Sequence, residues 1–330
     1  MDAPWPDPAG CVHVNLSTNY LGLTLAHPIV PGASPLTWDL DIVRSLEDAG
    51  APAIVVRSLF EEQVRRHEEA RRGGPVDPEH SPAAYLERIR RIKEAVGIPV
   101  IASLNGTTDI GWTGFARLMQ QAGADALELN IYHVSSNLWT LGSTIEAQTL
   151  DMIRAVKLTV TIPVAVKIYP FFSSIVCFAR QLDEMGVSGL VLFNRTYQPE
   201  IDLETRTVRP ELRLSSSSDL LPRLHWIAML AGRLQLSLSV TGGVHTAHDV
   251  LKAIFAGADT VQMVSALLRG GPEHLKSVRA EMERWLDRHG IASLEDVRGC
   301  MSLERLPDAN AFSFAASMHL LQHWQDAAVS

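Results

Sequence analysis

Two stretches of the sequence indicate the fold most clearly. They are Thr241-Gly242-Gly243-Val244 and residues 257–267 (GADTVQMVSAL). Two short apolar runs, residues 236–240 and 260–264, are rich in β-branched residues, which predicts buried parallel strands. The first run ends in two glycines, which let backbone N–H groups approach a ligand closely. Ser265-Ala266 follows the second run and opens a helix, whose amino terminus favours an anion. Two adjacent loops of this kind form the phosphate site after strands seven and eight of many (β/α)8 barrels. Two ordinary tight turns are the alternative interpretation.

The composition is that of a globular protein with a sizeable core, since 46% of the 330 residues are hydrophobic and 20% are charged. A net charge of −8 gives no electrostatic footprint for nucleic acid or an anionic membrane. Cys11, Cys177 and Cys300 are too scattered for a disulfide framework, a metal site or an iron–sulfur cluster, and Cys177 is expected in the core. Without a signal peptide or a long apolar run, we expect a soluble, cytoplasmic protein with a small-molecule substrate.

The rest of the chain alternates strand-like and helix-like segments. Strands are predicted at residues 28–34, 53–58, 98–104, 126–130, 163–168, 189–194, 236–240 and 260–264. Helices are predicted at residues 39–49, 81–96, 109–122, 144–160, 172–185, 219–231 and 273–289. The recurrent Gly-Ala or Gly-Val before strands, and the lack of G-x-G-x-x-G after the first strand, favour a (β/α)8 TIM barrel over a doubly wound sheet. We expect a single domain over residues 1–330.

Several segments are additions to a plain barrel. They are a loose N-terminal arm (1–13), a hairpin (14–25) that could plug the bottom of the barrel, a mobile loop (59–80), a second top loop (132–142), a small hairpin (201–208) and a helical tail (290–330). The loop 59–80 is either a solvated excursion or a lid over the active site.

Polar residues end the predicted strands, and strand ends converge on one mouth in a barrel. They are Ser34, Arg57-Ser58, Asn105, Asn130, Lys167, Asn194, Thr241-Gly242-Gly243 and Ser265. Asparagine offers both a donor and an acceptor, which suits the imide or amide edge of a heteroaromatic ring. Lys167 can place a cation beside an anion that develops on that ring, unless it is only a surface lysine. A polar ring next to a phosphate site is what flavin mononucleotide (FMN) needs. No metal cluster is expected.

These residues resemble the dihydroorotate dehydrogenase family over roughly residues 14–300. The motifs that carry the resemblance are Tyr20-Leu21-Gly22-Leu23, Pro28, Ala33-Ser34, Glu128-Leu129-Asn130, Val166-Lys167-Ile168, Asn194, Thr241-Gly242-Gly243-Val244 and residues 257–263. The resemblance implies an FMN-dependent barrel that oxidises dihydroorotate to orotate in pyrimidine biosynthesis, with a proton lost to a base and a hydride passed to flavin N5. It implies FMN contacts from Ala33, Ser34, Arg57, Asn105, Asn130, Lys167, Asn194, Thr241, Gly242, Gly243, Val264, Ser265 and Ala266. Lys167 would lie near the N1/C2 carbonyl edge of the flavin.

The substrate side departs from the family pattern. The family has Leu-Ser-Cys-Pro-Asn after the asparagine that ends strand four, whereas this chain has Ile131-Tyr132-His133-Val134-Ser135. His133 takes the place of the catalytic base, and Ser135 takes the place of a substrate-binding asparagine. The ordinary pKa of histidine, near 6.5, suits His133 to general-base catalysis. Tyr132 or Ser135 could serve instead, or the loop only shapes the pocket.

Other substrate contacts are expected from Arg57, Ser135, Asn194 and Arg195. Arg57 could pair with a substrate carboxylate, lie against the flavin, or form an ion pair with a neighbouring acid. The family's asparagine-containing substrate loop after strand two has no counterpart in residues 59–80.

Four functions therefore stay open. Oxidation of dihydroorotate is the nominal one. The others are oxidation or reduction of another dihydropyrimidine or enone-like substrate, a flavin-binding subunit without independent catalysis, and a flavin-free phosphate-sugar barrel. Fumarate, a nicotinamide nucleotide or another redox subunit could accept the electrons. Either a homodimer or a complex with such a subunit is possible.

Overall fold

A computed structural model describes residues 14–71, 81–106, 109–132, 135–195, 199–211 and 213–307. The strands are β1 Thr18–Tyr20, β2 Leu23–Leu25, β3 Ile29–Pro31, β4 Ile54–Val55, β5 Leu59–Phe60, β6 Val100–Gly106, β7 Ala126–Ile131, β8 Val164–Ile168, β9 Gly189–Leu192, β10 Pro199–Asp202, β11 Thr207–Pro210, β12 Ser237–Thr241 and β13 Thr260–Met263. The α-helices are α1 Leu40–Asp48, α2 Glu61–Arg71, α3 Pro82–Ala95, α4 Asp109–Gln121, α5 Gly142–Thr159, α6 Ile175–Glu184, α7 Leu221–Leu230, α8 Ala247–Ala256, α9 Ser265–Gly270, α10 Pro272–Arg288 and α11 Leu294–Val297. Short 3-10 helices cover Pro35–Trp38 and Ser217–Leu220.

The central sheet is parallel, and its strands follow the order β3-β13-β12-β9-β8-β7-β6-β4. β5 continues the path of β4 and also pairs with β6. The two ends of this order, β3 and β4, lie next to each other. The sheet is therefore a nearly closed barrel with helices between its strands, and the prediction of a (β/α)8 TIM barrel is confirmed.

Helices cover the outside of the barrel because each presents one apolar face. In α3 the buried residues are Tyr85, Leu86, Ile89 and Ile92, at the three- and four-residue spacing of a helix face. The helix begins where the sequence predicts: Ser81 Oγ accepts a hydrogen bond from the Ala84 N–H, at 3.1 Å, and proline holds the first helical position. The strands are buried on both faces, as parallel strands between helices must be.

The β1–β2 hairpin closes the amino-terminal end of the barrel, as predicted. Tyr20, Leu21 and Leu25 are buried and pack in one cluster with inward-facing residues of the strands. The Leu21 N–H donates to Ser237 Oγ at 3.1 Å. Gly189 leaves the space that this plug needs, because a Cβ atom there would lie 2.5 Å from Leu21 Cδ2.

Two predictions outside the barrel strands need correction. Residues 61–71 form helix α2 rather than a loop, because Glu, Gln and Arg have high helix propensity even without an apolar period. Cys177 is exposed, since the buried face of α6 is made by Ile175, Phe178, Ala179 and Leu182. The helical tail stays a prediction: its described part contains the short helix α11, and residues 308–330, like the arm 1–13, lie outside the described residues.

The predicted hairpin after the sixth barrel strand is confirmed: β10 and β11 pair antiparallel, with Ile201 opposite Val208. No helix within the described ranges is both long enough and apolar enough to span a lipid bilayer.

His27 makes the stability of the fold depend on pH. It is buried; its Nδ1 accepts from the Ile29 N–H (3.2 Å) and its Nε2 lies 2.7 Å from the Gly50 carbonyl oxygen. Burial lowers the pKa of His27 from 6.5 to about 4. Between pH 6.5 and pH 4, His27 is therefore protonated in the unfolded chain but neutral in the folded chain. The free energy of unfolding falls as the pH falls through this range.

We expect the free energy of unfolding to fall by about 3 kcal/mol more in the wild type than in His27→Gln between pH 7.5 and pH 4. Denaturant titrations of both proteins at the two pH values measure this difference. Asp259, whose pKa burial raises to about 6, acts in the opposite direction but is common to both proteins. Equal pH dependence in the two proteins would contradict the assignment to His27.

Candidate functional site

The carboxyl ends of the barrel strands open into a cavity of about 740 Å³. It brings together most of the residues that the sequence predicted for the site: Ala33, Ser34, Arg57, Asn105, Asn130, Tyr132, Lys167, Asn194, Arg195, Thr241, Gly242, Gly243, Val264 and Ser265. Ala266 is buried behind this lining, and Ser135 is half-buried outside it. His133 lies outside the described residues.

Lys167 lies at the centre of the cavity floor and is not a surface lysine, being only 6% exposed. Its Nζ donates to Glu128 Oε1 at 3.3 Å and to Gln262 Oε1 at 3.0 Å. The side-chain amide of Gln262 in turn donates to Glu128 Oε2. Glu128 is fully buried. These three side chains form a closed ring of hydrogen bonds, which we call the lysine ring. It holds a cation in the barrel interior by pairing it with a carboxylate.

The asparagines are fixed by hydrogen bonds between neighbouring strand ends. The Asn194 side-chain amide donates to the Ile131 carbonyl oxygen at 2.9 Å and to Asn130 Oδ1. The Asn105 amide donates to the Asn130 carbonyl oxygen at 3.1 Å, and the Asn130 amide lies 3.4 Å from Ser58 Oγ. The amides are thus oriented before any ligand arrives.

The turn after β12 has the backbone that its two glycines predict. Gly242 and Gly243 have φ angles of +87° and +84°, which disfavour a side chain. Gly243 also has no room for one, because a Cβ would lie 2.3 Å from the Leu220 nitrogen. Ser215 links this turn to the next strand end: its Oγ accepts from the Gly243 N–H at 3.2 Å, and its N–H donates to Ser265 Oγ at 3.0 Å.

Arg223, on α7, lines the cavity beside this turn, and the sequence analysis missed it. Its Nε donates to the Thr241 carbonyl oxygen at 2.6 Å, and Nη1 donates to the Asp219 carbonyl oxygen. Burial lowers the pKa of its guanidinium, while Asp219 opposes that effect. The available signal was an arginine in the first turn of a mostly apolar helix, five residues after a run of four serines.

Arg57 occupies the strand-two side of the cavity. Its guanidinium carbon lies 6.0 Å from the centre of the Trp38 ring, and that ring stacks on Tyr85 at 5.2 Å. Within the described ranges Arg57 has no ion pair. Among the described residues, Arg57 therefore contacts the face of an aromatic ring. It does not form the ion pair with a neighbouring acid that was one of the three alternatives from the sequence.

The family model described as dihydroorotate dehydrogenase matches residues 73–286. The chain belongs to the dihydroorotate dehydrogenase family. Among its relatives is a dihydroorotate dehydrogenase A (fumarate) of Limosilactobacillus reuteri, 29% identical over 208 residues, which are 61% of this chain and 67% of the relative. Two others are NAD(+)-type dihydroorotate dehydrogenase B catalytic subunits. That of Thermoplasma acidophilum is 25% identical over 305 residues (86% of this chain, 98% of the relative). That of Shouchella clausii is 28% identical over 210 residues (61% and 68%).

The outer wall of the cavity differs in character from its floor. It carries charges of both signs and apolar rings: Phe60, Glu61, Glu62, Tyr132, Phe193, Arg195 and Glu211. Of these, the sequence analysis had selected only Tyr132 and Arg195. The ring of Tyr132 meets that of Tyr169 edge-on at 6.4 Å, which braces this wall from behind. Glu61 lies on α2, in the segment 59–80 for which a lid over the active site was one of the two predicted alternatives.

Breaking the lysine ring should cost the fold more than breaking an exposed pair. We expect Lys167→Met to lower the free energy of unfolding by about 3–5 kcal/mol, because it leaves Glu128 as an uncompensated buried charge. The double variant Lys167→Met/Glu128→Gln should lose clearly less than the sum of the two single losses. Lys93→Met is the matched control, because the Lys93–Asp125 pair (2.7 Å) is about one-third exposed. It should cost about 1 kcal/mol or less. Additive losses in the cycle would show that the pair is not coupled.

Proposed function

We propose that the chain is an FMN-dependent oxidoreductase that acts on a CH–CH group and oxidises dihydroorotate to orotate, a step of pyrimidine biosynthesis. The observation that carries the proposal is a fixed lysine at the floor of a barrel-mouth cavity, with a diglycine turn at one side. The names of its relatives state the same reaction for those proteins. They differ in the electron acceptor, so fumarate and a nicotinamide nucleotide are the two acceptors to test.

The described residues fit FMN in size and in donor chemistry. A cavity of about 740 Å³ lies within the usual range for cofactor sites. Ala33, Ser34, Asn105, Asn130 and Lys167 would hold the ring system. Thr241, Gly242, Gly243, Val264, Ser265 and Ala266 would hold the phosphate. When bound, the flavin would supply the hydride acceptor, and the protein supplies orientation and electrostatics.

Lys167 would place its cation at the edge of the ring, and Glu128 keeps that cation in one position. A fixed cation at this point stabilises negative charge as it develops, because nothing has to reorganise during the reaction. The side-chain amide of Asn194 would orient the substrate, and Arg57 would bind its carboxylate.

The proton acceptor that we propose is His133, from its place in the sequence after Asn130. Tyr132, the residue before it, lines the cavity. Tyr132 itself and Ser135 are the alternatives. An imidazole with an ordinary pKa would be a competent base at neutral pH.

A second candidate is oxidation or reduction of another dihydropyrimidine or enone-like compound by the same cavity. The observation that favours it is the outer wall, where Glu61, Glu62 and Glu211 stand with Arg195. Dihydroorotate carries one negative charge, and carboxylates close to its own carboxylate would repel it. A partner subunit or a homodimer belongs to this proposal as well, since the relatives of the NAD(+) type are named as catalytic subunits.

The test of the proposal is the visible spectrum of the purified protein under anaerobic conditions. We expect a yellow protein, or one that becomes yellow with added FMN, whose absorbance bleaches when dihydroorotate is added. His133→Ala should keep the colour but bleach about 10²–10⁴ times more slowly. A protein that binds no FMN would overturn the proposed function. Bleaching by dithionite but not by dihydroorotate would favour the second candidate.

The lysine ring predicts opposite effects of two substitutions on the reduction potential of bound FMN. Lys167→Met removes the cation and should lower the midpoint potential, whereas Glu128→Gln leaves the cation less compensated and should raise it. Each shift should be about 30 mV or more, which corresponds to tenfold in the two-electron equilibrium. Spectroscopic redox titration measures both. Shifts of the same sign would contradict the assigned role of Glu128.

A further inference from the structure

Arg223 is a cation whose hydrogen bonds use only backbone carbonyl groups. Its Nε and Nη1 donate to the carbonyl oxygens of Thr241 and Asp219, and no carboxylate accepts from it among the described residues. The carboxylate of Asp219 accepts from the Ser216 N–H at 2.8 Å instead. The third nitrogen, Nη2, lies 3.0 Å from the point where a Cβ of Gly242 would stand. The guanidinium therefore keeps hydrogen-bonding capacity on the cavity side of the diglycine turn.

The start of α7 is clamped against that turn, so this position is built into the fold. Gly243 packs directly on the backbone of Leu220, with no space for a side chain between them. Ser217 Oγ donates to Asp249 Oδ2 at 2.8 Å, which ties the same segment to the start of α8. A guanidinium held in this way loses little conformational entropy when it binds a ligand.

The electrostatic surroundings favour an anion at this place. Arg223 is half-buried, so it has lost part of its hydration, and Arg195 adds a second positive charge at the same wall. Asp219 is the opposing acid, but it is exposed and engaged with Ser216. Two other polar groups of the turn region, the Gly243 N–H and Ser265 Oγ, are already bonded to Ser215.

We propose that Arg223 binds the phosphate of the flavin nucleotide directly, as a side-chain anchor beside the two strand-end loops. The inference rests on the proposed FMN site. A phosphate monoester matches the observed geometry, because a planar guanidinium can give it two parallel hydrogen bonds. The backbone of the turn approaches the same point without side chains in the way.

The test compares FMN with riboflavin, which has the same ring system but no phosphate. Dissociation constants are measured by flavin fluorescence for the wild type, Arg223→Gln and Arg233→Gln. Arg233 is an exposed arginine just after the end of α7 and outside the cavity lining, so it is the matched control. We expect Arg223→Gln to weaken FMN about 10- to 100-fold and to leave riboflavin unchanged. Arg233→Gln should change neither.

Two other outcomes would overturn the inference. An equal loss of affinity for FMN and riboflavin would mean that Arg223 only supports the turn. No loss of affinity for FMN would mean that Arg223 does not contact the phosphate. If Arg223→Gln does not fold, Arg223→Lys is measured in its place. This variant keeps the positive charge but cannot form two parallel hydrogen bonds. A ratio of the riboflavin and FMN dissociation constants equal to that of the wild type would overturn the inference.

A separate measurement distinguishes failure of the proposed function from failure of the inference about Arg223. If the wild type binds no FMN, binding of inorganic phosphate is measured by calorimetry. Phosphate binding that Arg223→Gln abolishes would keep Arg223 as a phosphate ligand and refute only the flavin. Absence of phosphate binding would refute both.

Discussion

The structure depends on one constraint, which is that a charged lysine lies inside a closed sheet and must be neutralised there. Lys167 meets Glu128 from the neighbouring strand and Gln262 from β13. The alternation of side chains along β7 and β8 places these groups in layers: Ala126 and Ala165 lie below them in the cluster with the hairpin, and the cavity lies above. Small residues in the lower layer leave room for the plug, and the polar middle layer becomes the floor of the site.

The cavity has a distribution of charge that follows from this floor. Its central cation is compensated, whereas Arg57 and Arg223, at the strand-two and strand-seven sides, have no ion-pair partner among the described residues. A compensated cation at the centre can respond to a change of charge on a ring without binding an anion permanently. Uncompensated guanidinium groups suit the permanent anions of a substrate and a phosphate. Under the proposed function, binding and chemistry would fall to different cations of one cavity.

The sequence predicted the barrel well because its signals are local. Strands are marked by β-branched runs, and the turn after β12 by Gly242 and Gly243, whose positive φ angles only the structure measures. Contacts between distant segments could not be predicted. Glu128 and Gln262 are 134 positions apart and meet only because the sheet closes. Arg223 reaches the site from a helix, where a strand-end argument does not look. The roles of His133 and Ser135 stay predictions, since His133 lies outside the described residues and Ser135 lies outside the cavity lining.

The most direct measurement is a crystal structure of the protein grown with FMN. We expect the ring system over Lys167, with Glu128 still paired to Lys167, and the phosphate between the 241–243 turn and Ser265, in contact with Arg223. FMN bound with its phosphate elsewhere, or with its ring away from Lys167, would contradict the proposed site even in a yellow and active protein.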